Sequence, residues 1–404
     1  MTPLAPPQST REGWATHRLL ALICAAHFVS HFYIVVLAPV LTLVRADYGV
    51  TYTQVGLAFF AFNLISALFQ THAGYLVDRS NAGAVLICGL VIGSIALASA
   101  ASAGPFWLFV AMFALLGFGN TVYHPADYSL LAQRMPAARM SHAYALHTFA
   151  GMAGSAASPV LLLPIATQFG WRTAYFTAAA IGLSVAIVLA IFWRDFAGKA
   201  APAPTSPKAD VATPSGRALL FSPPVLVQLG VFTLLALMNA GVQNFSMPAL
   251  ESLRGVPLAL SGSALTLYLV LSALGVLVGG YIASRTQRHD IAAVVCLAGF
   301  GLSALSLAFV DAGAAVLLFT FAIAGLVGGA IAPSRDMLVR AVTPDGSHGK
   351  VFAFVTNGFN IGGIASPLLF GFLLDHGHPQ AVFVAAGLFA LICVPLVLVG
   401  NRRS

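Results

Sequence analysis

The chain has 404 residues, 59% of them hydrophobic and only 8% Asp, Glu, Lys or Arg, where a water-soluble domain carries about 25% charged residues. That composition excludes an ordinary soluble protein. The apolar runs are continuous, which excludes a transmembrane barrel of alternating strands, and the net charge of +7 is spread singly between them rather than gathered into a nucleic-acid patch.

In chain order, a short tail (1–18) precedes an apolar run at 19–44. This run is too long for a signal-peptide core and has no cleavage pattern behind it, so it reads as a retained span. Further spans are predicted at 53–74, 83–101, 105–131, 141–167 and 173–192, completing an N-terminal six-helix bundle over 19–193. Residues 194–222, rich in Pro, Ala and Lys, read as a flexible cytoplasmic linker. A second bundle over 223–399 holds spans at 225–250, 261–283, 291–310, 314–339, 352–374 and 381–399, and 400–404 form a tail. The predicted fold class is all-α: a polytopic membrane protein with twelve transmembrane helices in two six-helix bundles. Cys24, Cys88, Cys296 and Cys393 all fall inside spans without C-x-x-C spacing and read as apolar fillers. With twelve spans both termini share a side. A cytoplasmic N-terminus leaves only Arg45, Arg172 and Arg254 outside, so 16 of the 19 basic residues lie on the inner side.

The two halves repeat one another. Gly74-Tyr75-Leu76-Val77-Asp78-Arg79 recurs 206 residues later as Gly280-Tyr281-Ile282-Ala283-Ser284-Arg285. Pro125, Pro136, Gly154, Ser158 and Pro159 recur 208 residues later as Pro333, Pro344, Gly362, Ser366 and Pro367. Ordered matches at one offset mark a tandem duplication of a six-span unit.

Two such halves with G-x-x-x-D-R between spans two and three resemble the major facilitator superfamily. A closer resemblance is to its fosmidomycin-resistance type of efflux protein. It rests on Ala26 to His31 (AHFVSH), Thr53 to Leu57 (TQVGL), Gly74 to Arg79 (GYLVDR) and Tyr123 to Pro125 (YHP). His31 stands where an acidic residue is expected in the closest relatives, and Gly154, Ser158 and Pro159 are similar to the antiporter motif of efflux members. The resemblance implies the twelve-helix fold, alternating access, and proton-coupled efflux of a small compound or drug across a bacterial inner membrane. For Asp78 and Arg79 it implies a charge-and-helix-end latch.

Ionisable side chains at bilayer depth cost about 2.5–3.5 kcal/mol on insertion scales, so each needs a function or a route to the interface. Those inside the spans are His27, His31, His72, His124, Asp127, His142 and His147 in the first half and Arg335 with Asp336 in the second. His27 and His31 share a helical face, and Asn120, His124 and Asp127 are expected to form one stripe, both facing a shared polar cavity. Histidine titrates near pH 6.5. Asp127, His27, His31 and His124 are therefore the proton-coupling candidates, Asp127 foremost; neutral hydrogen-bonded packing groups are the other reading. Asp127 and Arg335 occupy equivalent repeat positions, which raises an inter-half ion pair or anion site near the gate; the other reading pairs Arg335 with Asp336. Asn239, Gln243, Asn357 and Asn360 join His27, His31, Asn120, His124 and Arg335 as candidate substrate contacts, although amides also bind helices to one another. The candidate gating elements are Gly74, Asp78, Arg79, Asp127, Arg335, Gly154, Pro159, Gly362 and Pro367, where glycine permits close helix crossing and proline kinks.

The leading expectation is a secondary active transporter exporting a small polar or anionic compound against protons, working as a monomer in the lipid bilayer without cofactor. The alternative on the same fold is a proton-coupled uptake symporter of an organic anion. Transition-metal or metal-chelate transport is a third reading, set aside because no carboxylate or thiolate completes the His27 and His31 pair within span one. No H-E-x-x-H, nucleophile-elbow or P-loop motif occurs, so no enzyme is expected.

Overall fold

The computed structural model describes residues 10–136, 139–196, 216–311, 313–344 and 347–401, with the side chains of 10–15, Asp78, Ser141, 216–217, 348–349 and 399–401 excepted. The expected tails fall largely, and the linker mostly, outside the described residues. The helices run in the order α1 Thr10–Ile34, α2 Leu41–Tyr48, α3 Tyr52–Arg79, α4 Ala82–Ser102, α5 Phe106–Asn120, α6 Tyr123–Arg134, α7 Met140–Phe169 and α8 Trp171–Ile191. After the short α9 Trp193–Phe196 and α10 Gly216–Leu220 come α11 Pro223–Arg254, α12 Leu258–Arg285, α13 His289–Phe309, α14 Gly313–Ala341, α15 His348–Asp375 and α16 Pro379–Asn401. Twelve segments are long and apolar enough to cross a membrane. No strand occurs among the described residues.

Two of the predicted single spans are broken helices, and proline explains both. In the first, Pro39 has no N–H to give Val35, so Ala38 bonds the Val35 carbonyl instead (3.1 Å) and a short 3-10 turn at Ala38–Val40 separates α1 from α2. In the fourth, Pro125 cannot donate to Thr121. The ladder stops at Asn120 and restarts at Tyr123, with Pro125 in the first turn of α6, where its missing donor costs nothing.

The duplicated pattern reappears as duplicated contacts. α1 packs on α7 as α11 packs on α15, and α3 packs on α5 as α12 packs on α14. At these crossings a β-carbon on Gly154 would overlap the Phe28 backbone, and one on Gly362 would overlap Ala236 and the Thr233 carbonyl. Gly117 lies against the Phe62 backbone and Gly325 against that of Tyr268. In both pairs of contacts the partners are offset by 206 or 208 residues, so these glycines set helix spacing by letting backbones approach.

The halves meet at one end. The start of α3 lies against the end of α15, with Gly56 at the Pro367 carbonyl and Gly371 at Thr53. Gly262 of α12 lies against Leu163 of α7, and the Phe59 and Phe245 rings are 6.1 Å apart. Toward the other end α7 and α12 diverge around a cleft lined by Tyr144, Thr148, Met152, Ala273 and Leu277. His72 and Tyr75 of α3 and Tyr281 of α12 are exposed there.

The crossings make a prediction. Gly117→Ala and Gly325→Ala each destabilise by about 1–3 kcal/mol, the usual cost of overpacking, seen as a lower thermal midpoint in detergent. Gly74→Ala, where a β-carbon meets open space, leaves the midpoint within the range of an ordinary surface change.

Candidate proton and substrate site

Three broken or bent helices bring the ionisable groups together. α1 carries His27 and His31 one turn apart, α6 carries His124 and Asp127, and α7 carries His147 and Ser155. Gly151 of α7 lies between the last two, and a β-carbon there would sit 2.7 Å from His27 Nε2 and 2.9 Å from His31 Cδ2. Only glycine leaves room for both imidazoles.

Asp127 is the centre. One carboxylate oxygen, Oδ2, meets His27 Nδ1 at 3.1 Å and His147 Nε2 at 3.0 Å. The three residues are 0–2% exposed. The His27 and His147 rings stack at 3.6 Å, and the His31 and His124 rings lie 4.6 and 5.1 Å from His27. Ser155 Oγ is 3.5 Å from His31 Nδ1. With an ionised carboxylate both nitrogens at Oδ2 must carry hydrogen, which fixes the tautomers of His27 and His147. The other oxygen, Oδ1, is buried and makes no hydrogen bond among the described residues, as do His31 Nε2, His124 Nδ1 and Tyr123 Oη. The cluster therefore has unused donor and acceptor capacity.

A layer of tyrosine separates this cluster from the cleft. The Tyr128 ring is 5.9 Å from His124 and 5.4 Å from His147, is itself 45% exposed, and packs at 5.6 Å on Tyr144, which lines the cleft. The expected cavity-facing stripe is thus divided: His27 and Asp127 lie buried within the N-terminal bundle behind Tyr128, while His31 and His124 are partly exposed.

Other expected groupings are also revised. Asn120 does not share a stripe with His124 and Asp127, since the helix breaks after it; its amide lies 3.5 Å from Ser66 Oγ. The Asp127 and Arg335 pair is not formed. Arg335 bonds Asp336 Oδ1 at 2.9 and 2.8 Å, and its guanidinium lies 4.5 Å from the Phe232 ring and 5.2 Å from Phe359. Asn239 is tied up structurally, donating to the Leu235 carbonyl and accepting from Tyr268 Oη at 2.6 Å. Gln243 is half-buried, while Asn357 is exposed and accepts a 3.4 Å contact from the Asn360 amide. Of the gating candidates, Gly154, Gly362 and Pro367 sit at helix crossings, Pro159 lies inside α7, and Gly74 and Arg79 lie at the exposed end of α3. The Asp78 side chain is outside the described residues.

His147 is the residue that sequence reasoning passed over when choosing candidates. A signal was present: His147, Gly151 and Ser155 recur every fourth residue, marking one face of α7 that offers a polar group, a gap and a hydroxyl. The ligand argument against a metal also changes, because His27, His147 and Asp127 present donor atoms within 4.8 Å of one another. The carboxylate missing from span one arrives from α6.

A duplicated twelve-span body, closed at one end and cleft at the other, with a buried carboxylate and imidazoles in one half, has the architecture of a membrane transporter. The Major Facilitator Superfamily model matches residues 23–243 and 229–404, and the chain belongs to that superfamily. It is 22% identical to the fosmidomycin resistance protein of Escherichia coli (strain K12) over 98% of this chain and 96% of that protein. It is 29% identical to the probable sulfoacetate transporter SauU of Cupriavidus necator over 44% of this chain and 42% of that one. Among solved structures it is similar to a bacterial homolog of the human lysosomal transporter Spinster, inward-facing and unoccupied, with a TM-score of 0.78, 14% identity and 98% of each chain covered. The relatives and neighbours are transporters, and the chain is a transporter rather than an enzyme.

The geometry predicts unequal roles for the histidines. His147→Ala leaves Asp127 one donor short and costs about 1–3 kcal/mol of stability, the penalty for a buried group losing its partner. His72→Ala, on an exposed face, stays within about 0.5 kcal/mol of wild type. Thermal unfolding in one detergent measures both.

Proposed function

We propose that the protein is a proton-coupled secondary transporter that exports a small polar or anionic compound by alternating access. The observation that supports this reading most is the Asp127 carboxylate, wholly buried with His27 and His147 on one oxygen and a free acceptor on the other. Two neutral imidazoles and an ionised carboxylate carry one net negative charge, and a single added proton neutralises the set. An apolar interior penalises the net charge, so sealing the cluster and holding a proton are linked events. Rocking of the halves, with displacement of Tyr128, exchanges that proton with one side or the other.

The substrate class rests on the second half and on the relatives. Arg335, which faces the Phe232 and Phe359 rings and is paired with the half-exposed Asp336, would supply a planar cationic face for an anion able to displace that carboxylate. Likeness to a fosmidomycin resistance protein over the full length favours export, and likeness to a probable sulfoacetate transporter over the shared part favours an organic anion. His31, His124, Asn357 and Asn360 remain proposed contacts near the path. The gathering of Arg and Lys favours an open end, with Arg79, Arg285 and Lys350, on the cytoplasmic side of a bacterial inner membrane. The protein works there as a monomer.

Proteoliposomes with an imposed pH gradient test this. Phosphonates, sulfonates and carboxylates are screened, and an exported substrate moves opposite to the proton flow. Movement with the proton flow identifies the uptake symporter. Asp127→Asn abolishes gradient-driven accumulation while leaving downhill exchange measurable. Transport indifferent to the gradient overturns the coupling.

A second reading has its own observation, the convergence of two imidazole nitrogens and a carboxylate oxygen in one cluster. A divalent transition metal would use the same atoms as the proton, since imidazole and carboxylate suit Zn²⁺. Under that reading Zn²⁺ raises the thermal midpoint and His147→Ala removes the rise. A midpoint unmoved by Zn²⁺ leaves the cluster to protons.

A further inference from the structure

Asp375 sits where its own helix disfavours it. It is the last residue of α15, and the C-terminal end of a helix carries partial negative charge. Its carboxylate points across the boundary between the halves to the first turn of α3. Tyr52 N–H donates to Oδ1 at 2.6 Å and Thr53 N–H to Oδ2 at 2.8 Å.

The first turn of any helix leaves amide donors without intrahelical partners. At α3 they are shared out completely. Thr51 and Gln54 form a reciprocal capping box, in which the Thr51 hydroxyl takes the Gln54 N–H (3.1 Å) and Gln54 Oε1 takes the Thr51 N–H (2.8 Å). The two remaining donors are those that Asp375 takes. The positive end of α3 and the negative charge of Asp375 thus complete each other, although one belongs to the first half and the other to the second. Around this contact the two backbones touch, with Gly371 at Thr53 and Gly56 at Pro367. The Arg45 guanidinium lies over the Tyr52 ring at 4.3 Å and covers the junction.

The duplication makes the feature more telling. In the opposite seam α12 starts after Pro257, and the positions of α7 equivalent to Asp375 are Thr167 to Phe169, with no acid among them. Thr167 turns its hydroxyl back to the Leu163 and Pro164 carbonyls. Only one of the two repeat-related seams has the charged cap, so simple helix packing does not require it.

We propose that Asp375 is the positioning residue of the closed end: by capping α3 from the other half, it holds the two halves together there and sets the balance between the two access states. The proposal rests on alternating access, not on the nature of the coupled ion or the direction of transport. Opening this end separates the carboxylate from both amides and returns them to water, a charge-assisted contact that must break once per cycle.

Hydrogen–deuterium exchange of the purified full chain in nanodiscs tests it, comparing wild type with Asp375→Asn, Asp375→Ala, Tyr52→Pro and Tyr52→Ala. Proline suits the first helical position, and the extended Thr51 before it suits a following proline. Tyr52→Pro therefore removes one donor with the carboxylate in place, Tyr52→Ala controls for the lost ring, and the pair carries the test if Asp375→Ala does not fold. The expected result is severalfold faster exchange at the start of α3 and also around Leu163 and Gly262, the second seam, which Asp375 does not touch. Slower exchange at the exposed ends of α3 and α12 accompanies it. Asp311→Asn, which alters an acid paired within one half to Arg254, leaves the pattern unchanged. Acceleration confined to the first turn of α3, with the second seam and the opposite end at wild-type rates, overturns the proposal and reduces Asp375 to a local cap. Neither outcome depends on whether a pH gradient drives transport, so failure of the coupling and failure of the latch are read separately.

Discussion

A carboxylate shut inside an apolar bundle is the constraint around which the first half is built. An unpaired Asp127 would be among the costliest groups in the molecule, and the surrounding irregularities all serve to partner it. Pro125 breaks the fourth span so that α6 begins afresh beside α1. Gly151 removes the side chain that would hold α7 away, and the close crossing at Gly154 and Phe28 keeps the two helices in contact one turn further along. The His27 and His147 rings stack at 3.6 Å while both reach the same oxygen.

The second half has the same crossings and a different content. At the 208-residue offset His27 becomes Leu235, Asp127 becomes Arg335, His147 becomes Val355 and Gly151 becomes Phe359. Where the first half leaves a gap for imidazole, the second fills the space with a ring, and Phe359 with Phe232 flanks the guanidinium at the position equivalent to the carboxylate. Duplication preserved the backbone contacts, while the buried carboxylate gave way to a partly exposed guanidinium paired with Asp336. The proposed division into a proton site in one half and an anion site in the other rests on this exchange of charge.

The fold was legible because it depends on quantities a linear chain displays: the length of apolar runs, the side on which Arg and Lys gather, and anchors recurring at one offset. The interruptions were legible only in part. Pro39 and Pro125 are visible in the sequence, but whether a proline bends a helix or breaks it depends on what takes over the freed carbonyl. The site divides in the same way. Asp127 stands out because a carboxylate at bilayer depth is rare. Its pairing does not, since His27, already a candidate, and His147, passed over, lie 100 and 20 residues away and meet it only through the packing of three helices. Of the two readings open for Arg335, adjacency rather than repeat symmetry was the guide: the neighbouring Asp336 pairs with it, and two phenyl rings flank it.

If the cluster couples protons as proposed, its depth is the reason a largely buried carboxylate would suit a protein of two lobes better than one lining an open chamber. Groups bathed in water at all times would exchange protons with the open side throughout the cycle, and occupancy would follow that side alone. Under the proposed coupling, groups placed behind Tyr128 would exchange only when the lobe shifts, which would tie occupancy to conformation. The tie acts in both directions, because any state that opens the cluster is favoured when the cluster is charged and any state that seals it is favoured when it is neutral. Contacts between the lobes at the far end then need only be strong enough to hold a neutral, sealed molecule and weak enough to yield to a charged one. The close backbone approaches at Gly56 and Gly371, with the Asp375 carboxylate on the first turn of α3, are contacts of that kind.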